Sequence, residues 1–257
     1  MKKLIKFIFL TSIIFLGIYF LIVKTNILID QNIKNEKLYP DIGSGSHKDR
    51  LGYPSGEANS MSFSYLNLQN DGERPVAWDP CRDIHFVISR DNLPDYGYEV
   101  IVKALTDIAK ITGYKFIFDG YTNEKFIKNR NPYLPDLYGD NWAPILFSWS
   151  IKKERPELAD NVLGEGSGIF FTRDGEDKIY VSGAVDIEVE NVSRNLNEME
   201  KIIALMKHEI THVIGLGHST GAWDLMYPEE RLNVLDFSPG DKSGLINLAN
   251  SKCYPNI

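Results

Sequence analysis

Residues 208–218 read HEITHVIGLGH, and three of the chain's five histidines fall inside that window. The spacing narrows what this stretch can fold into. Two histidines four residues apart share a face on an α-helix, where each residue turns by about 100°. A glycine three residues after the second histidine can take a positive φ, end the helix and turn the chain back. The third histidine, three residues later, can then approach the first two. The expected helix runs from about Leu196 to Gly215 and carries Met199, Ile202, Ile203, Met206, Ile210 and Val213 on one stripe. That stripe is the expected packing face, and His208 and His212 lie roughly 140–180° round the wheel from Met199.

Two imidazoles at i and i+4 can both reach one zinc ion at about 2.0–2.1 Å, with His218 as a third neutral ligand. Glu209, about a quarter-turn from His208, is placed to reach a water at the metal without binding the metal itself. Three histidines and one water make a tetrahedral site with an open position, the arrangement of catalytic rather than structural zinc. At this chain's residue frequencies the full pattern H-E-x-x-H-x-x-G-x-x-H arises by chance in about one chain in a hundred thousand.

The N-terminus bears on the compartment. Residues 4–23, LIKFIFLTSIIFLGIYFLIV, hold one charge, Lys6. The run is long enough to cross a hydrocarbon core of about 30 Å as a helix. Lys2, Lys3 and Lys6 keep the N-terminus in the cytoplasm by the positive-inside rule. The expectation is a signal anchor over 1–24 that places the rest outside the cytoplasm. The alternative is a cleaved signal peptide and a secreted protein, although no small-residue cleavage site follows the run. A polar, turn-rich spacer is expected over 25–74, with the folded domain at 75–257.

Within that domain, RDIHFVIS (82–89), KFIFDGY (115–121) and PILFSWSI (144–151) read as strands, and 169–190 as strands around a DGED turn. Residues 98–113 read as a helix stopped by Gly113, and 240–249 as a last helix. The result is an α+β domain. The aromatic run 131–150 either borders a peptide-binding cleft whose edge strand receives substrate or belongs to the core. A net charge of −7 without a basic run excludes nucleic acid as a natural partner. Two cysteines are too few for a disulfide-rich scaffold or a four-thiolate zinc module.

HEITHVIGLGHSTGAWDLMYP resembles the zinc signature and Met-turn of the metzincin metallopeptidases, above all their matrixin branch. Ser219 follows the third histidine as in that branch, and Leu225–Pro228 match its Met-turn. The likeness extends from about WDPCRDIHFVIS to DFSPGDKSGLINL. It implies a mixed, mostly parallel, twisted sheet with an active-site helix and a C-terminal helix. It also implies that His208, His212 and His218 bind zinc and that Glu209 is the general base. Met226 would be the floor beneath the metal, and Tyr227 and Pro228 the wall of the specificity pocket. The expected activity is hydrolysis of peptide bonds by a monomer acting on peptides or proteins. Its rivals are a zinc amidase acting on cell-wall peptides and an inactive peptide-binding module.

Departures from the family matter too. The cysteine-bearing pro-segment of animal matrixins has no counterpart here. Cys81 and Cys253, at the two ends of the domain, are read instead as disulfide partners in an oxidising compartment, with two free thiols as the alternative. A loop of that length contributes about 4–5 kcal/mol in the chain-entropy model. The family's second zinc needs several upstream histidines, and only His47 and His85 are present, so one zinc is expected. Asp174, Gly175, Glu176 and Asp177 resemble a calcium loop and equally an ordinary hairpin turn.

Overall fold

A computed structural model describes residues 37–257 apart from 157–161, 174, 197 and 230–232, together with residues 18, 19, 21, 22 and 24. The expected anchor lies outside the described residues except for Ile18, Tyr19, Leu21, Ile22 and Lys24, which are helical. Among the described residues no helix is long and apolar enough to cross a membrane.

The frame is a six-stranded, mostly parallel sheet. Strands β3 (Ile84–Ser89), β4 (Phe116–Thr122), β5 (Ile145–Ser150) and β7 (Ile179–Glu188) lie in the order β4-β3-β5-β7, all parallel. The two-residue β2 (Ala77–Trp78) joins the start of β7 in parallel. The last strand, β6 (Gly164–Phe171), runs antiparallel along β7. Strands buried on both faces need apolar residues at successive positions, and β5, ILFSWS, is buried at all six. A parallel pair also needs a crossover. Helix α1 (Gly97–Thr112) supplies one between β3 and β4, and ends where Gly113 takes φ 72° and donates its N–H to Ala109 O.

One face of the sheet, with Ile84, Phe86, Ile88, Phe147, Val185 and Ile187, packs under α1, α4 (Met199–Ile214) and α5 (Pro239–Ala249) in a single core. The opposite face buries Val87, Leu146 and Ala184 beneath Phe126 and Tyr138. Two short helices, α2 (Pro135–Tyr138) and α3 (Val189–Asn195), also lie among the described residues. Of the aromatic run 131–150, Phe147 and Trp149 are buried in the main core, while Tyr138 and Trp142 pack against two smaller clusters. Cys81 and Cys253 form a disulfide with their Cα atoms 5.4 Å apart, tying the entry to β3 to the C-terminal tail.

Two sequence expectations shift. The compact unit begins at Pro40 rather than Pro75. Within it β1 (Ser64–Tyr65) pairs antiparallel with β8 (Leu216–Gly217), Leu51 N donates to Pro80 O, and Val76 N donates to Asn67 O. Backbone hydrogen bonds and the packing of Phe63 and Tyr65 hold this stretch without a regular apolar period, the signal by which a folded segment is recognised in sequence. The stripe on α4 also differs. Met199 is exposed, whereas Ala204, Leu205, Lys207, Glu209, Thr211 and His212 are buried with Ile202, Met206, Ile210 and Val213. The helix is enclosed nearly all round, and its histidine face floors a cleft rather than meeting open solvent.

Candidate metal centre

Helix α4 stops at Ile214, and Gly215 takes φ 124° with its N–H shared between His212 O and Thr211 O. An L-residue would be strained there, and the turn sends β8 back past the helix. The three histidines then converge. His212 Nε2 lies 3.1 Å from His208 Nε2 and 3.2 Å from His218 Nε2. Ligands at 2.0–2.1 Å around a tetrahedral centre are separated by about 3.3 Å. The three rings form a group that could hold a metal ion.

Carbonyl groups fix the tautomers of two of the three. His208 Nδ1 donates to Leu225 O at 2.7 Å, and His212 Nδ1 donates to Leu216 O at 2.8 Å. Both Nε2 atoms therefore carry lone pairs aimed at the same point, an arrangement that a cation between them satisfies. Burial pushes His208 down to about 4 and His212 to about 3, and it lowers His218 as well. All three are neutral at neutral pH, the state in which an imidazole binds metal.

The carbonyl that orients His208 has its own support. Asp241, fully buried at the start of α5, accepts N–H bonds from Leu225 at 2.8 Å, Met226 at 3.2 Å and Ser238 at 2.9 Å. Burial raises its pKa against those donors. The same carboxylate completes a capping box with Ser238. Met226 is 1 % exposed, and its carbonyl accepts Ser219 N at 2.8 Å. A chain of contacts thus runs from Asp241 through the Leu225–Met226 backbone to the first histidine. The sequence reading missed Asp241, although Ser-x-x-Asp at the head of a helix signals its capping role.

Strand β6 forms the opposite wall. Its residues 164, 166 and 168 are glycines, and all three face α4. A Cβ on Gly166 would sit 2.0 Å from Glu209 O, and one on Gly164 would sit 3.1 Å from Glu209 Oε1. Helix and strand backbones therefore touch, and the Glu209 carboxylate lies against the edge strand at Gly164. Between the walls is a cleft of about 470 Å³. Glu165, His208, Glu209, His212 and His218 line it, and Leu205, Leu225, Pro228, Val234 and Leu235 give it an apolar side. No residue of the 131–150 run is among the lining.

The remaining candidates fall elsewhere. Tyr227 is half-buried and donates its N–H to Asp224 O at 3.2 Å. His47 bonds Asp83 at 3.0 Å and His85 bonds Asp119 at 2.9 Å, each as a separate exposed pair. Of the calcium-loop candidates, Asp174 lies outside the described residues. Asp177 gives both carboxylate oxygens to the Arg74 guanidinium, at 2.9 and 3.0 Å, and also meets Lys252. Lys207 was another residue missed. Its buried ammonium lies 3.0 Å from Asp107 of α1 and 3.0 Å from Asp236, which follows the cleft residues Val234 and Leu235.

No family model and no curated protein matches this chain.

Proposed function

We propose that the protein is a zinc-dependent endopeptidase of the metzincin type, nearest the matrixin branch. One observation carries this reading: three histidine Nε2 atoms converge at the floor of a cleft that the Glu209 carboxylate also lines. His208, His212 and His218 would hold the ion, and the choice of zinc rests on an all-imidazole donor set. Zinc, when bound, supplies a Lewis acid that polarises the scissile carbonyl and acidifies a water. Glu209 acts as general base and then as general acid. It takes a proton from the attacking water and delivers it to the leaving amine nitrogen. Its contact with β6 sets the height from which it does both.

The cleft beside the edge strand suits an extended peptide. The antiparallel β6 is an edge strand able to pair with it, and Pro228 and Tyr227 would shape the pocket wall beyond. Met226 would floor the metal. The Cys81–Cys253 disulfide fits an oxidising compartment. With the apolar segment 4–23 it supports a domain held outside the cytoplasm on an N-terminal anchor.

The test uses the full chain in detergent, a quenched-peptide library, and Glu209→Gln beside the parent. The parent should contain one zinc and cleave internal peptide bonds, and a chelator should stop it. The variant should keep its zinc and lose turnover by about 1,000-fold or more, within the range of positioned acid–base catalysis. A variant as fast as the parent sinks the assignment of the base. Products confined to cell-wall amides point to the amidase instead.

A further inference from the structure

We infer that β1, through Ser64, is the positioning element of the third metal ligand, so that the segment before the sequence-marked domain is part of the metal centre. The inference rests on the zinc reading above.

The three histidines are held differently. His208 and His212 sit on one helix, and each ring has its own carbonyl partner. His218 is exposed, lies beyond the helix, and has no such carbonyl partner for its ring among the described residues. Its position must come from its backbone, and residues 64–66 hold that backbone. Leu66 N donates to Gly215 O at 2.8 Å. Ser64 and Tyr65 pair with Gly217 and Leu216. Ser64 Oγ donates to His218 O at 2.7 Å.

The fit at Gly217 is tight. A Cβ there would lie 2.6 Å from Ser64 Oγ, so glycine lets β1 approach. Around this contact, Ser62 Oγ donates to Asp224 Oδ2 at 2.8 Å, and Ser60 N donates to Ser243 Oγ at 3.1 Å. These tie the same segment to the Met-turn region and to α5. Leu66 also lines the cleft. Leu216 O, which fixes the His212 tautomer, sits in the same ladder. Docking of β1 therefore sets the third ligand directly and supports the second.

The experiment measures zinc affinity by competition with a chromogenic chelator. It uses the full chain carrying Ser64→Ala, Ser64→Thr or Gly217→Ala. Outer partners of metal ligands typically govern affinity by about 10–100-fold. Ser64→Ala should bind zinc on the order of tenfold more weakly. Ser64→Thr keeps a hydroxyl and should match the parent. Gly217→Ala should lose at least as much as Ser64→Ala, because its methyl displaces Ser64. Parent-like affinity in Ser64→Ala overturns the inference, as does equal weakness in Ser64→Ala and Ser64→Thr. A parent chain that takes up no zinc overturns the zinc reading itself, and this inference with it.

Discussion

Removing the Asp241 carboxylate should unlatch the Met-turn and, through it, the first histidine. In Asp241→Ala three N–H groups lose their acceptor: the buried Leu225 and Met226 and the half-buried Ser238. Hydrogen bonds to a charged acceptor contribute about 1.5–3 kcal/mol each, and three sharing one carboxylate add less than their sum, so about 4–6 kcal/mol is expected. Against a total of about 5–15 kcal/mol, that variant stands at the edge of folding. Asp241→Asn is gentler. With its amide oxygen in place of Oδ2 it still accepts from Leu225 and Ser238, and only the 3.2 Å bond from Met226 is lost. An amide also avoids burying a charge, which holds the expected cost to about 1–2 kcal/mol. Urea unfolding of the zinc-free protein reads these differences. Because Leu225 O orients His208 and Asp241→Asn keeps the Leu225 bond, zinc affinity should fall by about tenfold in Asp241→Ala and stay close to the parent's in Asp241→Asn. Loss of stability with zinc affinity intact would refute the relay from Asp241 to His208. A stability change below about 1 kcal/mol in Asp241→Ala would refute the energetic argument itself.

Three further outcomes follow from the same geometry. Gly166→Ala puts a methyl 2.0 Å from Glu209 O and forces helix and strand apart by about 1 Å; kcat should fall about 100-fold with the zinc retained, as paired kinetics and metal analysis would show. Lys207→Met removes the buried ammonium that ties Asp236 to Asp107, so the wall carrying Val234 and Leu235 should loosen and raise KM more than it lowers kcat in peptide kinetics. Acid unfolding should reveal two stabilising carboxylates: Arg74 and Lys252 lower Asp177 to about 2, while Lys103 and Lys207 outweigh burial to bring Asp107 to about 2. Since both folded values lie below the ordinary carboxylate range, their contribution is complete above about pH 4 and fades as pH falls toward 2; Asp177→Asn should flatten that limb of a pH titration followed by circular dichroism.

What could be read from the sequence was short in range. The histidine spacing, the stop at Gly215 and the stop at Gly113 act within one or two helical turns, so their order in the chain is their order in space. β3, β4 and β5 announced themselves through dense β-branched and aromatic residues. The rest depends on partners distant in sequence. GEGSG looks like a linker because glycine is depleted in strands, and only the approach of α4 makes it the start of β6. Ser64 meets His218 across 154 positions, in a stretch with no apolar period. The capping role of Asp241 is local, but its bonds to the Met-turn span 15 and 16 residues. Lys207 looks like an ordinary surface lysine until Asp107 and Asp236 enclose it.

The alternation along β6 divides it into a part that cannot vary and a part that can. Gly164, Gly166 and Gly168 fix the spacing to the helix with backbone alone, so no rotamer there can adapt to a larger residue. Glu165 and Ser167, alternating with them on the strand, carry side chains that take no part in that spacing, and Glu165 lines the cleft. Under the function proposed above, position 165 is where a substitution, freed of the Arg155 ion pair, would alter substrate preference while Glu209 keeps its height. A library randomised at position 165 and held constant at the three glycines would test whether cleft preference and helix spacing vary separately.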